Sequence, residues 1–220
     1  MALFVAFEGG EGSGKSTQAR ALSRRLSRRG FPVFLTHEPG GTPLGDRLRR
    51  YLKGHKELSP LAELFLFAAA RAQLVEQVIR PRLAQGSVVL CDRYAASTVA
   101  YQGGGRGLDA KMLEAVNRWA TQGLQPHLVI LLDLPVEEGL RRKGLGNGDR
   151  FEREALDFHR RVRAGYLKLA AADPDRWLVV DASLPQRKVA GIIWERVKGM
   201  VLLRHRVSPV ILLPRRRNDE

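Results

Sequence analysis

One octapeptide constrains this chain more than any other feature. Gly9-Gly10-Glu11-Gly12-Ser13-Gly14-Lys15-Ser16 fits the spacing G-x-x-x-x-G-K-[ST], and it lies between an apolar run, Leu3 to Phe7, and a helical pattern. Such a loop curls so that successive N–H groups and a helix N-terminus converge on a polyphosphate. In this pattern the Lys15 ammonium meets the β- and γ-phosphate oxygens and the Ser16 hydroxyl ligates Mg²⁺. Gly9, Gly10, Glu11, Gly12, Ser13, Gly14, Lys15 and Ser16, with Thr17 behind them, are the candidate ATP-binding positions. The spacing demands a strand before the loop and a helix after it, so it also fixes the fold class.

The rest of the chain alternates in the same way, which predicts a parallel sheet with helices on both faces. Ser16 to Arg29 carries Ala19, Leu22 and Leu26 on one face and stops at Gly30. Strands are expected at 31–36, 87–91, 128–132 and 177–180. A short helix is expected near 44–52 and a long, mostly apolar one over 61–84, with Arg71 inside it. The glycines from Gly103 to Gly107 read as a loop leading into a helix near 109–122. After a short helix, the segment from Arg141 to Arg150 reads as a flexible basic loop, followed by helices over 152–172 and 186–201. No repeat or linker interrupts residues 1–203, which are expected to form one domain. Residues 204–220, with Pro209, Pro214 and three consecutive arginines, read as an appended basic tail.

Composition narrows the partners. The chain has 220 residues and 44% hydrophobic content, enough for a core. Its single cysteine, Cys91, excludes an intrachain disulfide and a multi-thiolate zinc cluster. No run is long enough for a signal peptide or membrane span, so a cytoplasmic protein without a membrane partner is expected. The 37 Lys plus Arg against 23 Asp plus Glu leave a formal charge of +14, and an anionic partner is expected. Arg24-Arg25 and Arg28-Arg29 read as a solvated helix face. No basic platform interleaved with aromatics is visible, which argues against nucleic acid.

The N-K-x-D and D-x-x-G motifs of GTPases are absent from the sequence, which leaves a small phosphotransferase as the leading class. Its acceptor must lie in line with the γ-phosphate, and arginines must neutralise the moving charge. Further along stand Glu38-Pro39-Gly40-Gly41-Thr42, Phe67-x-x-x-Arg71 and Asp92-Arg93-Tyr94-x-x-Ser97-Thr98-x-x-Tyr101-Gln102-Gly103-Gly104-Gly105-Arg106-Gly107. Asp149-Arg150-Phe151-Glu152 completes the series. In this order the motifs resemble the thymidylate kinases, over about residues 3–195. The resemblance implies a single-domain P-loop kinase fold with a five-stranded parallel sheet and a short basic lid over about 141–150. It also implies phosphoryl transfer from ATP to dTMP with Mg²⁺, and a homodimer.

Residue by residue, the resemblance implies that Phe67 stacks on thymine and Arg71 contacts its O4. Four residues apart on a helix, the two share a face; read alone, Phe67 would be an ordinary core residue. Asp92 and Arg93 follow a buried strand, where ligands collect in open α/β sheets. They are candidates for the magnesium shell and the acceptor phosphate, with a plain internal salt bridge as the alternative. Glu38 and Pro39 belong to the acceptor side. Ser97, Thr98 and Gln102 offer polar groups to a pyrimidine edge, and Tyr101 matches the tyrosine that favours deoxyribose. Glu11, a carboxylate inside an anion-binding loop, needs a cationic neighbour or hydroxyl donor; the resemblance gives it the 3′-hydroxyl. Among the lid arginines, Arg150 and then Arg141 are candidates for the transition state, with a solvated surface loop as the alternative. His37 stands where the family usually has arginine. Two other readings stay open: another P-loop nucleotide or nucleoside kinase, and a nucleic-acid-binding P-loop ATPase.

Overall fold

The computed structural model describes residues 2–54, 58–144 and 150–205. Most of the expected tail, together with Gly146, Gly148 and Asp149 of the expected lid, lies outside these residues.

Five parallel strands form one sheet in the order β2-β3-β1-β4-β5. They are β1 (Leu3–Glu8), β2 (Val33–His37), β3 (Val88–Asp92), β4 (Leu128–Asp133) and β5 (Trp177–Asp181). Nine α-helices connect or flank them among the described residues: α1 (Lys15–Ser27), α2 (Pro43–Gly54), α3 (Pro60–Leu74), α4 (Arg80–Ala84), α5 (Ala95–Thr98), α6 (Ala110–Thr121), α7 (Val136–Lys143), α8 (Leu156–Ala172) and α9 (Gln186–His205). Every residue of β1 is buried, as expected for a central strand covered on both faces. Its side chains alternate. Leu3, Val5 and Phe7 pack with Leu22 and Leu26 of α1 and with Ile193 and Val197 of α9. Phe4 and Ala6 face the other way, toward Leu74, Val75 and Ile79.

Parallel pairing brings the carboxyl ends of the strands to one edge. Phe7 lies opposite Asp92 in β3, His37 opposite the same Asp92 from β2, and Glu8 opposite Leu131 in β4. The phosphate loop leaves β1 at this edge, in the middle of the sheet, where open α/β folds place their ligands.

Four expectations need correction. The long helix over 61–84 is interrupted by a π-helical turn, Val75–Ile79, before α4. The helix expected from residue 152 begins at Leu156. Arg141, Arg142 and Lys143 are the last turn of α7 rather than a loop, with three cations at the helix end that favours them. The glycines at 103–105 are not a loop either; they belong to a π-helical segment, Val99–Gly105. Glycine there serves close approach: a Cβ on Gly105 would sit 2.4 Å from the Phe158 ring, and one on Gly104 would sit 2.9 Å from the Arg161 carbonyl oxygen. The segment therefore packs against α8, where a loop would have been free of it.

Candidate active site

A cleft of about 690 Å³ opens at the carboxyl edge of the sheet, lined at one end by the phosphate loop and at the other by Phe67, Arg71 and Gln102. Gly9, Gly12 and Gly14 all have positive φ. The loop also touches α7 so closely that a Cβ on Gly12 would sit 2.0 Å from the Gly139 carbonyl oxygen. Glycine is thus required at 12 both by conformation and by space. Lys15 folds its Nζ onto the loop, donating to the carbonyls of Gly9 at 3.0 Å and Gly10 at 2.7 Å. Burial, and the Arg93 cation beside it, lower its pKa to about 8, against the raising pull of Glu11 and Asp92.

The Ser16 hydroxyl donates to Asp92 Oδ2, a very short contact between the start of α1 and the end of β3. A hydroxyl and a carboxylate side by side are hard oxygen donors of the kind Mg²⁺ takes, with its other positions left to water and phosphate. No group of three or more His, Cys, Asp or Glu able to hold a metal occurs among the described residues, so this pair is not part of an all-protein cage. The donor set fits a magnesium bound jointly with a nucleotide.

Glu11 has both partners that its charge calls for. Arg93 Nη2 and the Tyr101 hydroxyl each donate to its Oε1 at 2.6 Å. Burial alone would raise its carboxyl, but Arg93, Lys15 and Tyr101 together bring it down to about 2, so it is ionised throughout the working pH range. Arg93 also donates to the Gly9 carbonyl at 3.2 Å and to the Tyr101 hydroxyl at 3.0 Å. Its backbone lies at φ 72°, a left-handed conformation that costs a non-glycine residue energy and collects at functional sites. The surroundings hold it there: Arg93 N–H donates to the Phe7 carbonyl at 2.9 Å, and the guanidinium lies 4.9 Å from the Tyr101 ring centre. The plain Asp92–Arg93 salt bridge is not formed, because each residue turns to a different partner.

Deeper in the cleft, Arg71 is only 2% exposed and spends its five N–H groups inside the protein. Nε donates to Glu38 Oε2 at 2.8 Å and Nη2 lies 2.7 Å from the same oxygen. Nη1 donates to Thr98 Oγ1 at 2.9 Å and Asn117 Oδ1 at 2.7 Å, and Nη2 to the Tyr94 carbonyl at 3.2 Å. A base carbonyl would share these donors. Burial raises the Glu38 carboxyl to about 7 in spite of Arg71, and its Oε1 has no partner. Pro39 lines the cleft beside it. Phe67, one turn before Arg71, stands at the cleft with its ring centre 5.9 Å from that of Phe151.

Other expected residues are in the cleft but already engaged. Ser97 Oγ donates to Glu8 Oε2 at 2.6 Å, and Gln102 Nε2 donates to Glu63 Oε1 at 2.8 Å. His37 is half-buried; burial and the nearby Arg49 lower its pKa, which leaves it neutral at pH 7. Arg49 of α2 does bring a cation to this part of the cleft, lining it while donating to the Pro39 carbonyl at 3.0 Å.

Arg150 and Arg141 do not line the cleft. Arg150 pairs with Glu63 at 2.9 Å and donates to the Leu58 carbonyl at 3.2 Å, while its Nη1 is buried without a partner among the described residues. Arg141 is exposed in α7. Arg142 and Lys143, in the last turn of α7, do reach the cleft wall.

Sequence reasoning missed Glu8, Glu63, Arg49 and Tyr166. Glu8 ends β1 fully buried, held by Tyr94 N–H, Ser97 and Tyr166. Burial raises its carboxyl, and these partners and Arg93 only partly offset that. A charged residue closing an otherwise apolar strand was the available signal for Glu8. Glu63, on a mostly apolar helix, could have been found as Arg71 was. Arg49 and Tyr166 carry no motif.

Comparison with known proteins identifies the family. Residues 7–193 match the family model described as thymidylate kinase. A thymidylate kinase of Dehalococcoides mccartyi is 51% identical over 205 residues, covering 92% of this chain and 99% of its own. One of Thermomicrobium roseum is 51% identical over 211 residues, covering 95% and 100%. The crystal structure of a thymidylate kinase from Ehrlichia chaffeensis superposes with a TM-score of 0.72 at 31% identity, covering 90% of this chain and 98% of that one. A phosphate loop facing an aromatic pocket across Arg93, in a chain this similar to known relatives over nearly all its length, places the protein in the thymidylate kinase family.

Proposed function

We propose that the protein transfers the γ-phosphoryl group of ATP to dTMP, with an oxygen of the dTMP phosphate attacking phosphorus while the bond to the ADP oxygen breaks. The nucleophile is already an anion, so the site needs no general base; it needs alignment and charge neutralisation. The observation that carries this reading is Arg93, a cation held at the junction between the phosphate loop and the aromatic pocket. There it meets the acceptor phosphate together with Arg49, while Phe67 and Arg71 face the base and Tyr101 and Glu11 the deoxyribose. Ser16 and Asp92 would hold Mg²⁺, which would supply neutralisation of phosphate charge when bound. Cys91, buried and unpaired, suits the reducing cytoplasm.

In this reading Arg150 reaches the transferring phosphoryl group after leaving Glu63, and Arg141 is the second choice. Arg150→Ala then lowers kcat about 10³-fold with little change in nucleotide affinity. Single-turnover kinetics beside ATP titration check this; a change in KM alone would assign the role to Arg142 or Lys143.

The protein acts as a homodimer. Supporting this, the neighbouring helices α2, α3 and α6 expose Tyr51, Phe65 and Trp119, the last 79% accessible, and clustered exposed apolar side chains mark interaction surfaces. Sedimentation of Phe65→Glu/Trp119→Glu is expected to show a folded monomer. A variant that sediments as a dimer would place the interface elsewhere.

A further inference from the structure

The cleft engages few of the chain's arginines. A second groove, of about 360 Å³, lies between α1 and α9 and shares no lining residue with the first. That is within the size range of small-ligand sites. Arg24, Arg25, Arg28 and Arg29 line it, and no carboxylate among the described residues does.

Arginines at i and i+4 repel one another. The helix dipole favours cations at this end of α1, but it does not account for how they are held. The guanidiniums of Arg25 and Arg29 lie over the Trp194 ring at 4.2 and 4.4 Å, and Arg29 Nη1 donates to the Arg25 carbonyl at 3.2 Å. Two like charges are therefore fixed against one indole rather than splayed into water. Stacking leaves the edges of a guanidinium free to grip phosphate oxygens in pairs. Arg24 and Arg28 beside them are exposed and make no ion pair among the described residues.

A second observation also points to a ligand. Gln18, 5% exposed, lines the same groove. Its Nε2 donates to the Gln186 carbonyl at 3.1 Å, and its Oε1 is buried with no donor. A buried acceptor without a donor is costly, and a ligand carrying an N–H or O–H would satisfy it.

We propose that this groove is a second anion site, taking an oligophosphate chain between the four arginines and a donor of the same ligand at Gln18 Oε1. Inorganic tripolyphosphate and ATP share that chemistry, and calorimetric titration of the full chain separates them. The wild type is expected to bind two equivalents of tripolyphosphate. Arg24→Ala/Arg28→Ala keeps the phosphate-loop equivalent and weakens the other at least about tenfold, with dTMP phosphorylation unchanged. Lys15→Ala keeps the groove equivalent, and Arg47→Ala/Arg50→Ala, which removes two exposed charges elsewhere, keeps both. ATP binding in the groove about tenfold tighter than tripolyphosphate identifies a nucleotide as the ligand, and equal affinity identifies the bare chain. A single equivalent in the wild type, or two undiminished equivalents in Arg24→Ala/Arg28→Ala, would overturn the proposal. So would displacement of tripolyphosphate from the groove by a lower concentration of single-stranded DNA, which would make this a nucleic-acid face.

Discussion

Lys15→Ala is expected to lower kcat/KM by about 10³-fold or more while leaving the protein folded. The rate loss follows from the site's chemistry: a cation poised where charge develops in the transition state is worth several kcal/mol when held in place beforehand. The small effect on stability follows from the contacts. Lys15 Nζ bonds the carbonyls of Gly9 and Gly10 and the Ser13 hydroxyl, so its removal strands no charged partner. Glu11 keeps Arg93 and Tyr101, and Arg93 is relieved of a neighbouring cation. A melting temperature near that of the wild type, with coupled ADP release reduced to background, is the expected pair of results. Near-normal turnover would remove the phosphate loop from the account.

Arg71→Ala is expected to act on both stability and binding. Arg71 and Glu38 form a buried ion pair at 2.7 Å, and removing one member leaves the other's charge uncompensated, at a cost of about 3–5 kcal/mol. Thr98, Asn117 and the Tyr94 carbonyl lose a donor at the same time. Glu38 limits part of the loss, since its carboxyl titrates near pH 7 and can take up a proton. The sign follows from linkage: with the pair intact, the proton on Glu38 favours the folded state at low pH, and that contribution fades as pH rises through about 7. In Arg71→Ala the opposing cation is gone, so the fall in stability between pH 6 and 8 becomes steeper. Denaturant unfolding at pH 6 and pH 8 checks this. Glu38→Gln/Arg71→Met, which removes both charges, recovers much of the stability but not dTMP affinity. If Arg71→Ala melted like the wild type, the ion pair would carry no stabilising role; if Glu38→Gln/Arg71→Met bound dTMP normally, Arg71 would not face the base.

Lys15 and Arg71 also differ in how far the sequence alone discloses their surroundings. The loop around Lys15 was legible because its spacing is local: glycines, lysine and serine act within one turn of chain, and the strand and helix around them follow from apolar periodicity. Phe67 and Arg71 were legible as a pair because helical geometry alone puts them on one face. Glu63 was missed although it shares that helix, because its role depends on Gln102, Arg106 and Arg150 arriving from distant segments. Arg49 was hidden for the same reason, since nothing local to α2 says that it comes up to the cleft beside Pro39. The glycines at 103–105 misled because turn formation and close packing demand the same residue. Only the proximity of α8 tells the two apart. Arg25 and Arg29 read as a wetted surface until Trp194, some 165 residues on, was found beneath them.

The most direct test of the central claim, that the aromatic end of the cleft selects a thymine deoxynucleotide for phosphorylation by ATP, is kcat/KM for ADP release across a panel of acceptors. With dTMP, dCMP, UMP, GMP and thymidine offered under one ATP and Mg²⁺ condition, dTMP is expected to lead every other acceptor by about a hundredfold or more, and Phe67→Ala is expected to erode that lead without altering ATP affinity. Equal or better turnover of another acceptor would contradict it.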